Sequence, residues 1–213
     1  MNKNIRLFDQ EMSNNSAIID KNTDYLPFEG AGFLLSFEGA YVFGKRLGSD
    51  QKETGELEYM GGKVEEGETP SQTAERELCE ELGGASILDS NWQDRANIFH
   101  TFQPFSKKWI WIFRLELTEC EKLRLDKAEQ ILEKWDATEK KFFNGQLCRK
   151  AISSIIYVAQ KTFREYSDKF STTHVSKNRM KDAKNFGKEN KIYDEYSIRG
   201  FNLVIFEEHG VRF

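Results

Sequence analysis

Residues 61–84 read GGKVEEGETPSQTAERELCEELGG, seven glutamates and one arginine set between two glycine pairs. Carboxylates held this close repel one another, so a cluster that folds needs a cation to offset the repulsion. Thr69-Pro70 has the form of a helix start, with threonine as N-cap and proline at the first helical position. Good helix formers run from Ser71 to Leu82, and Gly83-Gly84 supplies the stop. Glu77, Glu80 and Glu81 then stand at i, i+3 and i+4 and share one helix face. Ala74, Leu78 and Leu82 form an apolar stripe beside them, so a single helix can dock on a sheet and turn its acid face into a cleft. Hard divalent cations, Mg²⁺ above all, take such oxygen ligands and are used where a substrate brings phosphates of its own.

Working outward, GAGFLLSF and AYVFGKRL flank the turn Glu38-Gly39 and predict a tight hairpin. Glu56–Met60 is a short extended segment that runs into Gly61-Gly62, read as a strand-to-loop junction where glycine lets the backbone bend or approach a ligand. Asn97–Phe105 and Trp109–Leu117 are expected strands, the second central because bulky residues occupy both faces. Asp126–Lys134 is a short helix or a loop. Gln146–Tyr166 places Leu147, Ala151, Ile155, Val158 and Phe163 at helical intervals and predicts a long amphipathic helix. Val175–Lys191 carries six Lys or Arg against two acids and reads as a solvated basic loop, followed by FNLVIFEE as a last strand.

Composition narrows the function classes. The chain has 213 residues, which suits one decorated domain. A net charge of −4 gives no global attraction to nucleic acid, which is not favoured as a partner, although the basic segment could meet RNA or a polyphosphate. No apolar run is long enough to span a bilayer and the start lacks a signal-peptide core, so a cytoplasmic protein without membrane contact is expected. Cys79, Cys120 and Cys148 are odd in number and widely spaced, against a disulfide framework or a thiolate zinc site; Cys79 is read as packing. His100, His174 and His209 are equally scattered, so any metal here should be bound by oxygen. Aromatic residues at 102, 105, 109 and 111 are read as core rather than as a base-stacking platform.

The spacing G-x5-E-x7-R-E-U-x-E-E-x-G-U, with U a bulky aliphatic residue, resembles the Nudix box, and Gly62, Glu68, Arg76, Glu77, Leu78, Glu80, Glu81 and Gly83 match it. Only Gly84 departs, standing where an aliphatic residue is usual. Resemblance to the Nudix hydrolases implies an α/β fold, an α/β/α sandwich around a mixed β-sheet, here with N- and C-terminal additions. The corresponding division is an extension over 1–28, the Nudix domain over 29–166 and a C-terminal addition over 167–213 packed on the same domain. The resemblance further implies Mg²⁺- or Mn²⁺-dependent hydrolysis of a nucleoside diphosphate linked to another moiety, with a nucleoside triphosphate cut to monophosphate and pyrophosphate as the leading case. ADP-ribose, dinucleotide or nucleotide-sugar cleavage, RNA cap or 5′-end processing, and a non-catalytic nucleotide-binding module are the alternatives. By the same carry-over, Glu77, Glu80 and Glu81 would bind metal with a backbone carbonyl of Gly62 or Gly61. Arg76 and Glu68 would brace loop and helix, while Arg46, Gly62 and Lys63 would meet the substrate. The base that deprotonates the attacking water varies within the family; Glu129 is taken here, with Glu133 beside it as the other late acid. The terminal additions also offer surface for a homodimer.

Overall fold

The structure, a computed structural model, describes residues 28–48, 53–103, 108–143, 146–173, 179–193 and 196–199. The N-terminal extension up to residue 27 and the expected last strand FNLVIFEE lie outside the described residues. Strands β1 (Phe28–Phe37) and β2 (Ala40–Leu47) form the expected hairpin, with Phe37 opposite Ala40. Its two-residue turn places both Glu38 (φ 45°) and Gly39 (φ 75°) in the left-handed region, the geometry that matches the twist of flanking strands.

The remaining strands are β3 (Glu53–Glu58), β4 (Met60–Lys63), β5 (Asn97–Gln103), β6 (Lys108–Glu116), β7 (Lys140–Phe143), β8 (Gln146–Arg149), β9 (Ile152–Ala159) and β10 (Ser197–Ile198). The main sheet runs β10-β3-β2-β1-β6-β5, with β4 also on β1 and β9 also on β2. β1 pairs with β6 in parallel and β10 with β3 in parallel, while the other pairs are antiparallel, so the sheet is mixed. β7 and β8 form a separate hairpin.

Helices cover both faces. α1 (Pro70–Glu81) and α2 (Glu119–Lys134) lie on one, where Ala74, Leu78 and Leu82 meet Leu125, Ala128 and Leu132 over Phe33, Leu35, Phe113 and Leu115. α3 (Gln160–Thr173) and α4 (Arg179–Glu189) lie on the other, where Phe163, Phe170, Ala183 and Phe186 cover Leu34, Tyr41, Phe43 and Ile112. Leu34 faces one core and Phe33 and Leu35 the other, the period-two signature of a strand buried on both sides. The α/β/α sandwich expected from the sequence is the architecture observed.

Four local expectations need correction. Gln146–Tyr166 is not a helix: β8 and β9 occupy most of it and α3 starts only at Gln160. Along β9, Ile155 and Tyr157 join the core under α1 and α2, and Ile156 and Val158 the opposite core. A β-branched strand buried on both faces shows no polar alternation, so its apolar spacing resembles a helix, and pairing with β2 decides the matter. Gly61-Gly62 sits inside β4, with Ala31 opposite Gly62, and the loop begins only after Lys63. The undecided Asp126–Lys134 is the second half of α2, which begins seven residues earlier at Glu119, just after the N-cap Thr118 and its capping box with Glu121. The basic stretch holds helix α4, docked through buried Ala183 and Phe186. Among the described residues no helix is long and apolar enough to cross a membrane.

Candidate active site

α1 brings the predicted acids together through strong local signals. Thr69 caps it, accepting from Gln72 N while the Gln72 side chain accepts from Thr69 N, and Pro70 opens the first turn. Ala74, Leu78 and Leu82 are almost wholly buried, which fixes the rotation of the helix and turns Glu77, Glu80 and Glu81 toward β4. Glu81 reaches the strand itself: Gly61 N donates to its Oε2 at 3.0 Å. At Gly62 a Cβ would overlap the Glu77 carboxylate, so glycine here makes room for that acid.

One guanidinium organises the segment. Arg76 Nε donates to Glu68 Oε1 at 2.7 Å and Nη2 to Glu68 Oε2 at 3.1 Å, a two-pronged pair tying the loop to the helix. Nη2 also donates to the carbonyl of Lys63 at 2.7 Å, and Nη1 to Glu77 Oε1 at 2.9 Å and Glu80 Oε1 at 3.4 Å. Glu68 further accepts from Thr73 Oγ1 and Glu65 N. Burial works against ionisation of Glu68, but the Arg76 hydrogen bonds and these donors hold its pKa down at about 2. Arg76 is therefore spent largely on bracing.

The other acids of the α1 face are left short of positive charge. Burial pushes the Glu81 carboxyl well above the ordinary range, reinforced by the charges of Glu58 and Glu77. Glu77 is raised too, by burial first and by Glu80 and Glu68, against the pull of Arg76. Three carboxylates, a glycine that leaves space for one of them, and unbalanced negative charge form a donor set suited to a hard divalent cation, which would be held by Glu77, Glu80 and Glu81. Among the described residues no three acidic, thiol or imidazole side chains are grouped closely enough to hold a metal ion as they stand, and Arg76 Nη1 pairs with both Glu77 and Glu80.

The other predicted residues are distributed around this core. Arg46 is at the end of β2, paired with Glu56 and Glu58 of β3. The Lys63 side chain is exposed beside Gly62. Glu129, half-buried on α2, accepts from Ile155 N at 3.2 Å, while Glu133 is exposed. The sequence reading missed two residues of the site. Glu58, 9% exposed, adds a fourth acid whose charge acts on Glu81. Cys148 of β8 lies by the helix acids, and burial with the Glu80 carboxylate beside it pushes its thiol up to about 11. Glu58 ends β3 just before β4 and Cys148 belongs to the β7–β8 hairpin, and nothing in their immediate sequence marks them. Trp109 and Trp111 pack their rings on His100, while the side chains of Phe102 and Phe105 lie outside the described residues.

Comparison with known proteins gives concordant matches. The NUDIX domain family model matches residues 31–144, more than half of the chain. The 8-oxo-dGTP diphosphatase of Escherichia coli K12 is 46% identical over 50 residues, an alignment covering 24% of this chain and 39% of that protein, so well under half of the relative's length is matched. Among solved structures, a NUDIX hydrolase from Nitrosomonas europaea aligns at 14% identity over 80% of this chain and 93% of its own, with a TM-score of 0.37. A C. elegans Ap4A hydrolase in a binary complex aligns at 13% identity over 87% and 99%, also at 0.37. The fold itself rests on the mixed strand order and the two helix-covered faces of the sheet.

Proposed function

The chain belongs to the Nudix hydrolase family, and on that premise we propose that it cleaves a nucleoside triphosphate to the monophosphate and pyrophosphate, using Mg²⁺ or Mn²⁺ at the α1 carboxylates. The observation that carries this reading is the acid face of α1, buried against Gly61-Gly62 with its one arginine already committed to Glu68. A divalent cation held by Glu77, Glu80 and Glu81 would supply positive charge to offset theirs and Lewis acidity toward the phosphate.

The protein's own residues divide the remaining work. Arg76, held by Glu68 and the Lys63 carbonyl, orients Glu77 and Glu80. Arg46 offers a guanidinium and Lys63 an ammonium to the phosphates, one as a fork and the other as a point charge. Glu129 takes the proton of the attacking water, exchanging its bond from Ile155 N for that water. One water adds across the P–O–P bridge, one phosphorus gains the hydroxyl oxygen, and the displaced oxygen leaves on pyrophosphate. The matched segment of the E. coli relative, named for an oxidised purine triphosphate, supports a triphosphate substrate and puts oxidised purines on the list to test.

The test is a panel of ordinary, deaminated and oxidised nucleoside triphosphates, ADP-ribose, dinucleotides and capped RNA, assayed with Mg²⁺ and Mn²⁺ and resolved by product. Monophosphate plus pyrophosphate supports the reading. Two monophosphate-bearing halves would move the substrate to a dinucleotide or nucleotide sugar, and binding without turnover would make the protein a sensing module. Glu129→Gln should lower kcat by about 100-fold with KM little changed; full activity would transfer the base to the helix acids.

A further inference from the structure

A second charged group borders the α1 acids, assembled from three neighbouring strands. Arg46 Nη1 donates to Glu56 Oε2 at 3.4 Å, Arg46 Nε lies 3.6 Å from Glu58 Oε1, and Arg199 Nη1 donates to Glu58 Oε2. Glu58 thus holds a different guanidinium on each of its oxygens. Arg199 follows β10, and its backbone N donates to Leu57 O at 2.9 Å, which continues the pairing with β3 and fixes the residue beside Glu58.

The group sits on the α1 side of the sheet. Gly44, opposite Glu58, faces Ile152 of the core beneath α1 and α2, and both Arg46 and Arg199 reach the Glu58 carboxylate. Glu58 is three residues from Gly61, whose N–H holds Glu81, a span of roughly 10 Å in extended chain. The Glu58 charge also acts on Glu81 directly. A phosphate chain anchored at the α1 acids therefore ends within reach of long arginine side chains placed here.

Glu58 is 11% exposed at its side chain, whereas Arg46 and Arg199 are 34% and 40% exposed. The Glu58 side chain is nearly covered while both arginine side chains stay partly open to solvent. A guanidinium carries five N–H donors in a planar fork, so one engaged by Glu58 keeps others for a phosphate oxygen.

We infer that Arg199 is a substrate-phosphate ligand: with Arg46, and spaced from it by Glu58, it forms a two-guanidinium clamp for the phosphate chain of the nucleotide. The C-terminal addition is then part of the active site. This rests on the nucleotide reading above and extends it to a residue outside the matched family segment.

Inorganic tripolyphosphate probes the clamp without a nucleoside. Calorimetry with Mg²⁺ present should find binding to the wild type, about tenfold or more weaker binding to R199A, and partial recovery in R199K, because an ammonium cannot present the fork. Mn²⁺ affinity read by electron paramagnetic resonance should be the same in wild type and R199A. An R199A dissociation constant within about twofold of wild type overturns the proposal, as does a wild type that binds no tripolyphosphate. Binding lost in R199A and R199K only together with the native near-UV circular dichroism also counts against it, since a purely structural tie behaves that way. Absence of turnover across the nucleotide panel with tripolyphosphate binding intact would sink the hydrolase reading and leave the clamp standing.

Discussion

Glu81 and Glu121 are both buried glutamates on helices that cover the same face of the sheet, at 7% and 0% exposure, yet their affinities for a proton shift in opposite directions. Burial opposes ionisation of Glu121, but N–H groups of Asp89 and Thr118 and the guanidinium of Arg95 outweigh it and hold the carboxyl below its usual range. Glu81 receives one backbone N–H and faces Glu58, Glu77 and Glu80. One glutamate is satisfied by the fold. The other is held among like charges with a single donor, an environment that the cation proposed above would relieve.

The difference predicts opposite mutant behaviour, starting with the largest effect. Glu81→Gln keeps an oxygen for Gly61 N and removes a buried charge, so kcat should fall by about 1000-fold, the worth of several kcal/mol of charge stabilisation, while the metal-free protein melts no lower than wild type. Steady-state kinetics and calorimetry on one preparation check both halves; retained activity would remove Glu81 from the ligand set. Glu121→Gln should do the reverse. Its new amide N–H₂ must confront one of three donors, at a cost of about 3 kcal/mol read by urea unfolding, with kcat per folded molecule unchanged.

The two glycines of β4 sharpen the contrast at smaller scale. A Cβ on Gly61 would strike the backbone of β1 at Gly32 and Ala31, whereas one on Gly62 would strike first the carboxylate end of Glu77. Gly61→Ala should therefore destabilise by about 2 kcal/mol or more. Gly62→Ala should leave the melting temperature nearly unchanged and cost about tenfold in kcat through a displaced carboxylate. Equal loss of stability in both would mean that Gly62 serves the strand and not the acid.

The part of the molecule that sequence made legible is the part that local rules decide. N-cap threonine, Pro70, the spacing of Glu77, Glu80 and Glu81, and the stripe of Ala74, Leu78 and Leu82 all act within one or two helical turns, and each is found where expected. The hairpin around Glu38-Gly39 was legible for the same reason. β9 was not, because a strand buried on both faces loses the alternation that identifies it. The contact of Arg199 with Glu58 was invisible because it depends on β10 pairing with β3 from a distant part of the chain, and Cys148 because its β8 hairpin lies in the stretch whose apolar spacing resembles a helix.

The smallest effect lies in the pH dependence of the metal-free protein. Glu121 has a folded pKa below the ordinary glutamate value of 4.5, so its stabilisation is complete above that value and is lost as pH falls through the depressed one. Glu81 has a folded pKa above 4.5, so its contribution is present below that value and is lost as pH rises through the raised one. In EDTA the melting temperature should thus decline on both sides, and each single variant should flatten one side only: Glu121→Gln the acid limb, Glu81→Gln the limb above 4.5. A difference of 1 kcal/mol moves the midpoint by about 2–4 °C in a chain of this size, so the limbs are measurable by calorimetry. Adding Mg²⁺ should lift the upper limb in wild type and not in Glu81→Gln, because a bound cation stabilises in proportion to its occupancy of the folded state alone. A wild-type upper limb that ignores Mg²⁺ would mean the charge on Glu81 is balanced by something other than metal, and the contrast with Glu121 would lose its functional meaning.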